Sequence, residues 1–348
     1  MIRKDYRRKL DVKNGRVELA HGSGGRAMAQ LITELFHPAL DNEWLREGED
    51  QATFEVHGGR MVMTTDAYVI APLFFPGGDI GSLAVHGTIN DIAMAGARPL
   101  HLAASFILEE GFALKDLKRI AESMAAAARE AGVAVITGDT KVVERGKADG
   151  VFISTTGIGM VPPGIELSVA RIRPGDRLIV SGFLGDHGVA VMSKRHDLAF
   201  ETAILSDSAS LHGLVAVMVE ASGDDLHAMR DPTRGGLAAT LNEWAQAAAL
   251  GVRIREEAIP IRPGVAAACE LLGLDPLYVA NEGKLIAAVA PESADGLVAA
   301  MREHPLGRDA VIIGEAVADE HRFVQMTTEF GGDRIVDWLA GEQLPRIC

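Results

Sequence analysis

The sequence predicts an α/β (α+β) protein of two domains, and three observations carry that expectation. At 348 residues the chain has room for about two ordinary cores. Helical and strand-like periodicities interleave in both halves, which is the pattern of mixed sheet-and-helix layers. Near the middle, Val161-Pro162-Pro163-Gly164 interrupts the pattern, because consecutive prolines do not sit inside regular structure.

In chain order, Arg60–Thr65 (RMVMTT) reads as a buried strand running into Asp66. Between Lys115 and Ala131, Leu117, Ile120, Ala121, Met124 and Ala128 form a helical stripe, with Gly132 as the stop. Val133–Thr137 then reads as a strand that delivers Gly138-Asp139-Thr140. The second half opens with Arg173-Pro174-Gly175-Asp176 and a strand over Arg177–Ser181. Helices are expected over Ala209–Ala221, Gly236–Leu250 and Pro263–Leu272, and strands over Val252–Arg255, Lys284–Val289 and Val311–Ile313. The last eight residues, Gly341–Cys348 (GEQLPRIC), read as an extended, flexible tail: Pro345 discourages helix and no long apolar run anchors it.

Composition narrows the partners. Hydrophobic residues make up 48% and charged residues 24%, an ordinary globular balance. With 34 Lys and Arg against 48 Asp and Glu, the net charge of −14 argues against nucleic acid as the main partner. The one basic cluster, Arg3 to Lys9, reads as a solvated tail. No apolar stretch reaches membrane-span length and no signal core opens the chain, so no membrane and a cytoplasmic location are expected. Two cysteines make neither a disulfide framework nor a zinc site.

Four aspartates stand at the ends of expected elements: Thr65-Asp66, Asn90-Asp91, Gly138-Asp139 and Asp231-Pro232-Thr233. Singly, Asp91 and Asp231 suit helix N-caps. Together the four suggest a carboxylate cluster for Mg²⁺, which prefers oxygen ligands and substrate phosphates. His21-Gly22-Ser23-Gly24-Gly25 could bring backbone N–H groups close to phosphate, and Thr233-Arg234-Gly235-Gly236 opens a helix whose start favours anions. Neither follows the P-loop pattern. Cys269, in AAACELLG, reads as a small core residue. Cys348 ends the sequence on a polar segment that no core claims, where a thiol could accept an acyl-type group and swing between sites.

These motifs resemble one family. HGSGG (21–25), TTDAYVIAPLFFPGGDIG (64–81), GTINDIAMAGA (87–97), TGDTKVVERGK (137–147), GDHGVA (185–190), DPTRGGLAA (231–239), NEGK (281–284) and PRIC (345–348) are similar, in order, to the hydrogenase maturation factor HypE family. That family is part of the ATP-dependent PurM-like superfamily. The first twenty residues extend beyond the usual start, and His86 stands where members often carry cysteine.

The resemblance implies a two-domain PurM-like fold. An N-terminal extension (1–20) would precede an ATP-binding domain (21–163) whose sheet pairs two copies into a homodimer. An α/β domain (164–340) and a mobile tail (341–348) would follow. It implies ATP in a cleft along the N-terminal sheet, with Mg²⁺ held by Asp66, Asp91, Asp139 and Asp231. Nucleotide contacts would come from His21, Gly22, Ser23, Gly24, Gly25, Asp66, Asn90, Asp91, Gly138, Asp139, Thr140, Thr233 and Gly235. The carbamoyltransferase HypF would load a carbamoyl group on Cys348, and ATP-dependent dehydration would give a thiocyanate. Its cyanide would pass to iron on the HypC–HypD scaffold for the [NiFe]-hydrogenase. Lys141, Glu282 and His187 would act at the proton-transfer end beside Cys348. Two other readings stay open: another PurM-like synthase, of selenophosphate or purine type, and a non-catalytic scaffold with a reactive thiol.

Overall fold

The computed structural model describes residues 9–22, 26–47, 54, 58–198, 204–338, 344 and 346–348. Most of the basic run Arg3–Lys9, residues 23–25 of the glycine loop, and residues 341–343 and 345 of the tail lie outside the described residues. Sheets of four and seven strands form the frame, one in each half.

The first sheet contains β1 (Arg60–Tyr68), β2 (Arg98–Glu109), β3 (Ala134–Val143) and β4 (Val151–Val161), in the spatial order β1-β4-β2-β3. Only β2 and β3 run parallel. One face packs on α1 (Ile80–Met94) and α2 (Leu114–Glu130), and the expected α2 stripe of Leu117, Ile120, Ala121, Met124 and Ala128 is wholly buried. The other face leaves Met61, Met63 and Ile107 exposed among threonines and serines. Strand β3 runs six residues beyond the expected Thr137, so Gly138, Asp139 and Thr140 lie within a strand rather than after one. Pairing with β2, out to Glu109↔Val143, overrides the poor strand propensity of Gly138 and Asp139. A side chain at Gly138 would place its Cβ 2.2 Å from Ala104 O, so the close pairing requires glycine there.

The second sheet holds β5 (Arg177–Val180), β6 (Leu226–Arg230), β7 (Gly251–Arg255), β8 (Ile286–Val289), β9 (Val311–Val317), β10 (Val324–Thr327) and β11 (Asp333–Ile335). Their spatial order is β11-β10-β7-β9-β5-β8-β6. Strand β8 is buried at all four positions, as a central strand covered on both faces must be. Around the sheet lie α3 (Asp186–Arg195), α4 (His212–Ser222), α5 (Gly236–Ala248), α6 (Pro263–Leu272) and α7 (Ala294–Arg302). Helix α6 has the expected bounds, because Pro263 opens it and Gly273, at φ +67°, closes it in a left-handed conformation. Cys269 is buried on α6, as expected.

Candidate active site

Neither helix is capped by the aspartate that its sequence offers. Asp79 caps α1, accepting hydrogen bonds from Gly81 N and Ser82 N, and Asp91 lies well inside that helix. Gly235, at φ +75°, precedes α5, so Asp231 is not its cap either. Both side chains instead face the junction of the two halves. Thr64 Oγ1 donates to Asp91 Oδ2 at 2.8 Å, and Thr88 Oγ1 donates to Asp66 Oδ2 at 2.9 Å. Burial raises the pKa of Asp66. Burial and the Asp66 charge raise that of Asp91. Burial, with the Asp91 carboxylate second, pushes Asp231 up to about 7. The three groups therefore crowd one another.

Asp139 stands apart, against expectation. Its carboxylate lies 3.0 Å from Lys141 Nζ, and that hydrogen-bonded ammonium holds its pKa below the ordinary value. Because β3 continues through both residues, Lys141 is exposed beside Asp139 and forms no ion pair with Glu282. Asn90, expected to contact the nucleotide, is hydrogen-bonded within the chain. Its amide donates to Ala209 O and Glu282 O at 3.0 and 3.2 Å, while its Oδ1 accepts from Leu211 N at 2.7 Å. Those bonds tie the second half to α1.

The donor chemistry fits a hard divalent cation. Two of the three crowded carboxylates, Asp66 and Asp91, accept from threonine hydroxyls, and burial disfavours full ionisation of all three without a counter-charge. Among the described residues no group of three or more His, Cys, Asp or Glu is placed to hold a metal ion by itself. Mg²⁺ characteristically takes one or two carboxylates and completes its shell with phosphate and water, so an open set suits it.

A cavity of about 520 Å³ opens beside β3, lined by Phe36, Trp44, Phe106, Gly138, Asp139 and Thr140 among others. Its size and its mix of aromatic and polar walls suit a small organic ligand. His21 is buried, with its Nδ1 accepting from Glu18 N at 2.9 Å, and Gly22 crosses the edge of β3. A Cβ at Gly22 would lie 2.5 Å from Val142 N, so only glycine can pass there. Thr233 and Gly235 form the turn into α5.

The described part of the tail, Leu344 and Arg346–Cys348, is docked, with Arg346 in a left-handed turn at φ +54°. Val69 N donates to Cys348 O at 3.1 Å and Ala71 N to Arg346 O at 3.2 Å, an antiparallel pairing with the segment after β1. Leu344 and Ile347 are buried in the core shared with α1 and α6, so two separated apolar side chains anchor a segment that has no apolar run. His187, completely buried on α3, donates through Nε2 to Ile347 O at 2.9 Å. Its Nδ1 therefore accepts from Ser206 Oγ at 2.8 Å, and burial lowers its pKa. A neutral ring with both nitrogens engaged is a clamp for the tail.

Glu282 is a buried carboxyl whose charge acts on the Cys348 sulfur. Its Oε1 is fully buried without a hydrogen-bond partner. Burial, followed by the charges of Asp231, Asp207, Asp66 and Asp91, raises its pKa well above the usual carboxylate range. Burial and the Glu282 carboxylate in turn push the Cys348 thiol up to about 12. The charges that act on this thiol also include Arg234, Asp66 and Asp231.

Several contributors escaped the sequence reading. Asp207 Oδ1 accepts from Glu282 N at 3.1 Å, with Lys284 Nζ 3.3 Å from its other oxygen. Asn281 joins three motifs, accepting from Gly185 N at 2.7 Å and donating to Pro232 O at 2.9 Å. Asn281 and Lys284 sit in NEGK, a motif whose polar residues are the available signal.

Comparison with known proteins decides the family. The AIR synthase related N-terminal and C-terminal domain families match residues 48–161 and 173–327. The carbamoyl dehydratase HypE of Bradyrhizobium diazoefficiens is 73% identical over 345 residues, covering 99% of this chain and all of that protein. This chain belongs to the HypE family. A crystal structure of HypE in complex with ATP superposes with a TM-score of 0.91 at 48% identity, covering 95% of this chain and 99% of that one. HypE from a crystal structure of a HypE–HypF complex superposes with a TM-score of 0.78 at 47% identity, covering 89% and 99%. The mixed α/β, two-domain PurM-like architecture is that of the family.

Proposed function

We propose that the chain is an ATP-dependent carbamoyl dehydratase that converts an S-carbamoyl group on Cys348 into a thiocyanate, the source of the cyanide ligand of the [NiFe]-hydrogenase iron. The observation that carries this reading is the Cys348 thiol docked beside a buried, unpartnered Glu282 carboxyl at the edge of the Asp66, Asp91 and Asp231 cluster. The family's name and the ATP complex of a relative support it.

The chemistry requires that a poor leaving group be made a good one. The carbamoyl oxygen forms a bond to the γ-phosphorus as the bond from that phosphorus to ADP breaks. The C–O bond then breaks as nitrogen loses both protons, giving S–C≡N, ADP, inorganic phosphate and a proton. Asp66, Asp91 and Asp231 would hold Mg²⁺, which when bound neutralises phosphate charge and aligns the transfer. Glu282 takes a proton from nitrogen; burial raises its pKa well above the usual carboxylate range, which makes its ionised form a stronger base. His187 holds the tail in place. His21, Gly22, Gly138, Asp139, Thr140, Thr233 and Gly235 would contact the nucleotide from the β3 cleft and the start of α5. The expected Ser23, Gly24 and Gly25 contacts remain part of this proposal. Lys141, exposed beside Asp139, is assigned to the phosphate side of the site.

The carbamoyl group comes from HypF, in line with the HypE–HypF complex solved for a relative, and the cyanide passes to HypC–HypD. A homodimer would cover the exposed Met61, Met63 and Ile107 of the first sheet, and light scattering should give twice the chain mass. Among the described residues no helix is long and apolar enough to cross a membrane. The deciding experiment measures ATP hydrolysis by chain carrying a carbamoyl group on Cys348, beside unloaded chain and Cys348→Ser. Turnover only in the loaded chain is expected. Equal turnover in all three, or none in any, would remove the assignment.

A further inference from the structure

Helix α3 touches the tail twice. Its first turn contributes His187, whose Nε2 donates to Ile347 O. Its last residue, Arg195, donates from Nη2 to Arg346 O at 2.8 Å and to Ala71 O at 2.6 Å, with Nε also 2.9 Å from Ala71 O. The two residues are eight positions apart, which places them on one helix face. The segment after β1 supplies the rest of the grip, from Ala71 N to Arg346 O and from Val69 N to Cys348 O. The carbonyls of residues 346, 347 and 348 are therefore all held. Arg346 answers with its own side chain, donating to Val69 O at 3.0 Å and pairing with Asp149.

This grip reads the tail through its main chain. Its hydrogen bonds are the same whether the sulfur carries hydrogen, a carbamoyl group or cyanide. Its strength sets how much of the time the sulfur is inside, beside Glu282, and how much outside. Loading needs the outside state, because the docked sulfur is partly buried and its thiol is held protonated. Dehydration needs the inside state.

We propose that Arg195 is a positioning residue for the dehydration reaction. Bridging Ala71 O on one half and Arg346 O on the tail, it latches Cys348 into the cleft and so sets the balance between loading and dehydration. Asp149 strengthens the same latch by orienting the Arg346 guanidinium. The inference rests on the reaction proposed above, but its first readout, access to the thiol, does not depend on that reaction.

The test compares wild type with Arg195→Met and Asp149→Asn. Met keeps much of the length and packing of the arginine stem while removing its donors. Asp149→Asn alters only an exposed side chain. The first readout is the rate at which a small maleimide labels Cys348 in the absence of nucleotide. The second follows chain carbamoylated with cyanate, which adds about 43 Da to a thiol, during one ATP-driven turnover to the species about 25 Da heavier than the free thiol. Loss of hydrogen bonds to a charged donor should raise labelling by about tenfold or more in Arg195→Met and slow the turnover, with a smaller change of the same signs in Asp149→Asn. Arg195→Lys, which can still serve one carbonyl, should fall between Met and wild type.

Opposite movement of the two rates supports the latch. Unchanged labelling in both variants overturns it, whatever happens to turnover, because a latch that does not govern exposure is not a latch. Should Arg195→Met fail to fold, the Asp149→Asn rates decide alone. If the variants release the tail but wild type never forms the lighter species, the latch stands and the proposed reaction falls.

Discussion

Asp66 and Asp91 stand on a strand and a helix that the core fixes, and threonine hydroxyls bond directly to their carboxylates. Cys348 is held quite differently: the main-chain carbonyls of the last three residues all accept hydrogen bonds, and none of those bonds involves the sulfur. One region is a rigid receptor, built for charge that arrives and departs. The other is a substrate arm, gripped without regard to what it carries. The difference suggests that chemistry at the receptor and exchange at the arm can be altered separately, which gives the comparison its tests.

The largest effect is expected at their meeting point. Glu282→Gln keeps the shape of the side chain but removes its basicity, so dehydration should slow by about a hundredfold or more while loading of Cys348 continues. The readout is accumulation of the carbamoylated chain in the presence of ATP. A smaller but still large loss is expected from Asp91→Asn, which keeps a ligand oxygen and lowers the charge. ATP turnover should fall and its Mg²⁺ requirement should rise, with tail labelling unchanged because the arm is a separate region. Faster labelling in Asp91→Asn would show that the two regions are coupled.

The same division explains what the sequence reveals. Periodicity is enough for α2 and α6, where a stripe or a proline-to-glycine frame is local information. It misplaces Asp139, because the extension of β3 depends on a partner strand some thirty residues away (Ser105↔Asp139). The three converging aspartates are visible in the sequence, yet their separation from helix caps follows only from Asp79 and Gly235 taking those positions. The grip on the tail is almost illegible, since carbonyl acceptors carry no sequence signature. Only the eight-residue spacing of His187 and Arg195 hints that both could face one neighbour.

The smallest effect separates the regions by pH. Asp231, pushed up to about 7 by burial and by Asp91, keeps a proton in the folded state that the unfolded chain has lost above the ordinary carboxylate value of 3.8. Its contribution to stability is therefore fully present below about pH 4 and lost as pH rises through about 7. The metal-free protein should melt at a lower temperature at pH 8 than at pH 5, and Asp231→Asn should flatten that slope. Added Mg²⁺ and ATP should recover part of the loss at pH 8. A slope unchanged in Asp231→Asn would place the titrating group elsewhere.

The central claim is that Cys348 carries the group being dehydrated, and the mass of the C-terminal peptide tests it most directly. After loading and incubation with ATP and Mg²⁺, that peptide should gain about 25 Da, the difference between S–C≡N and S–H, and without ATP about 43 Da. Cys269, buried on α6 with its thiol pushed up to about 11 by burial, should carry neither. Appearance of the 25 Da species on Cys269, or its formation in Cys348→Ser, would contradict the account.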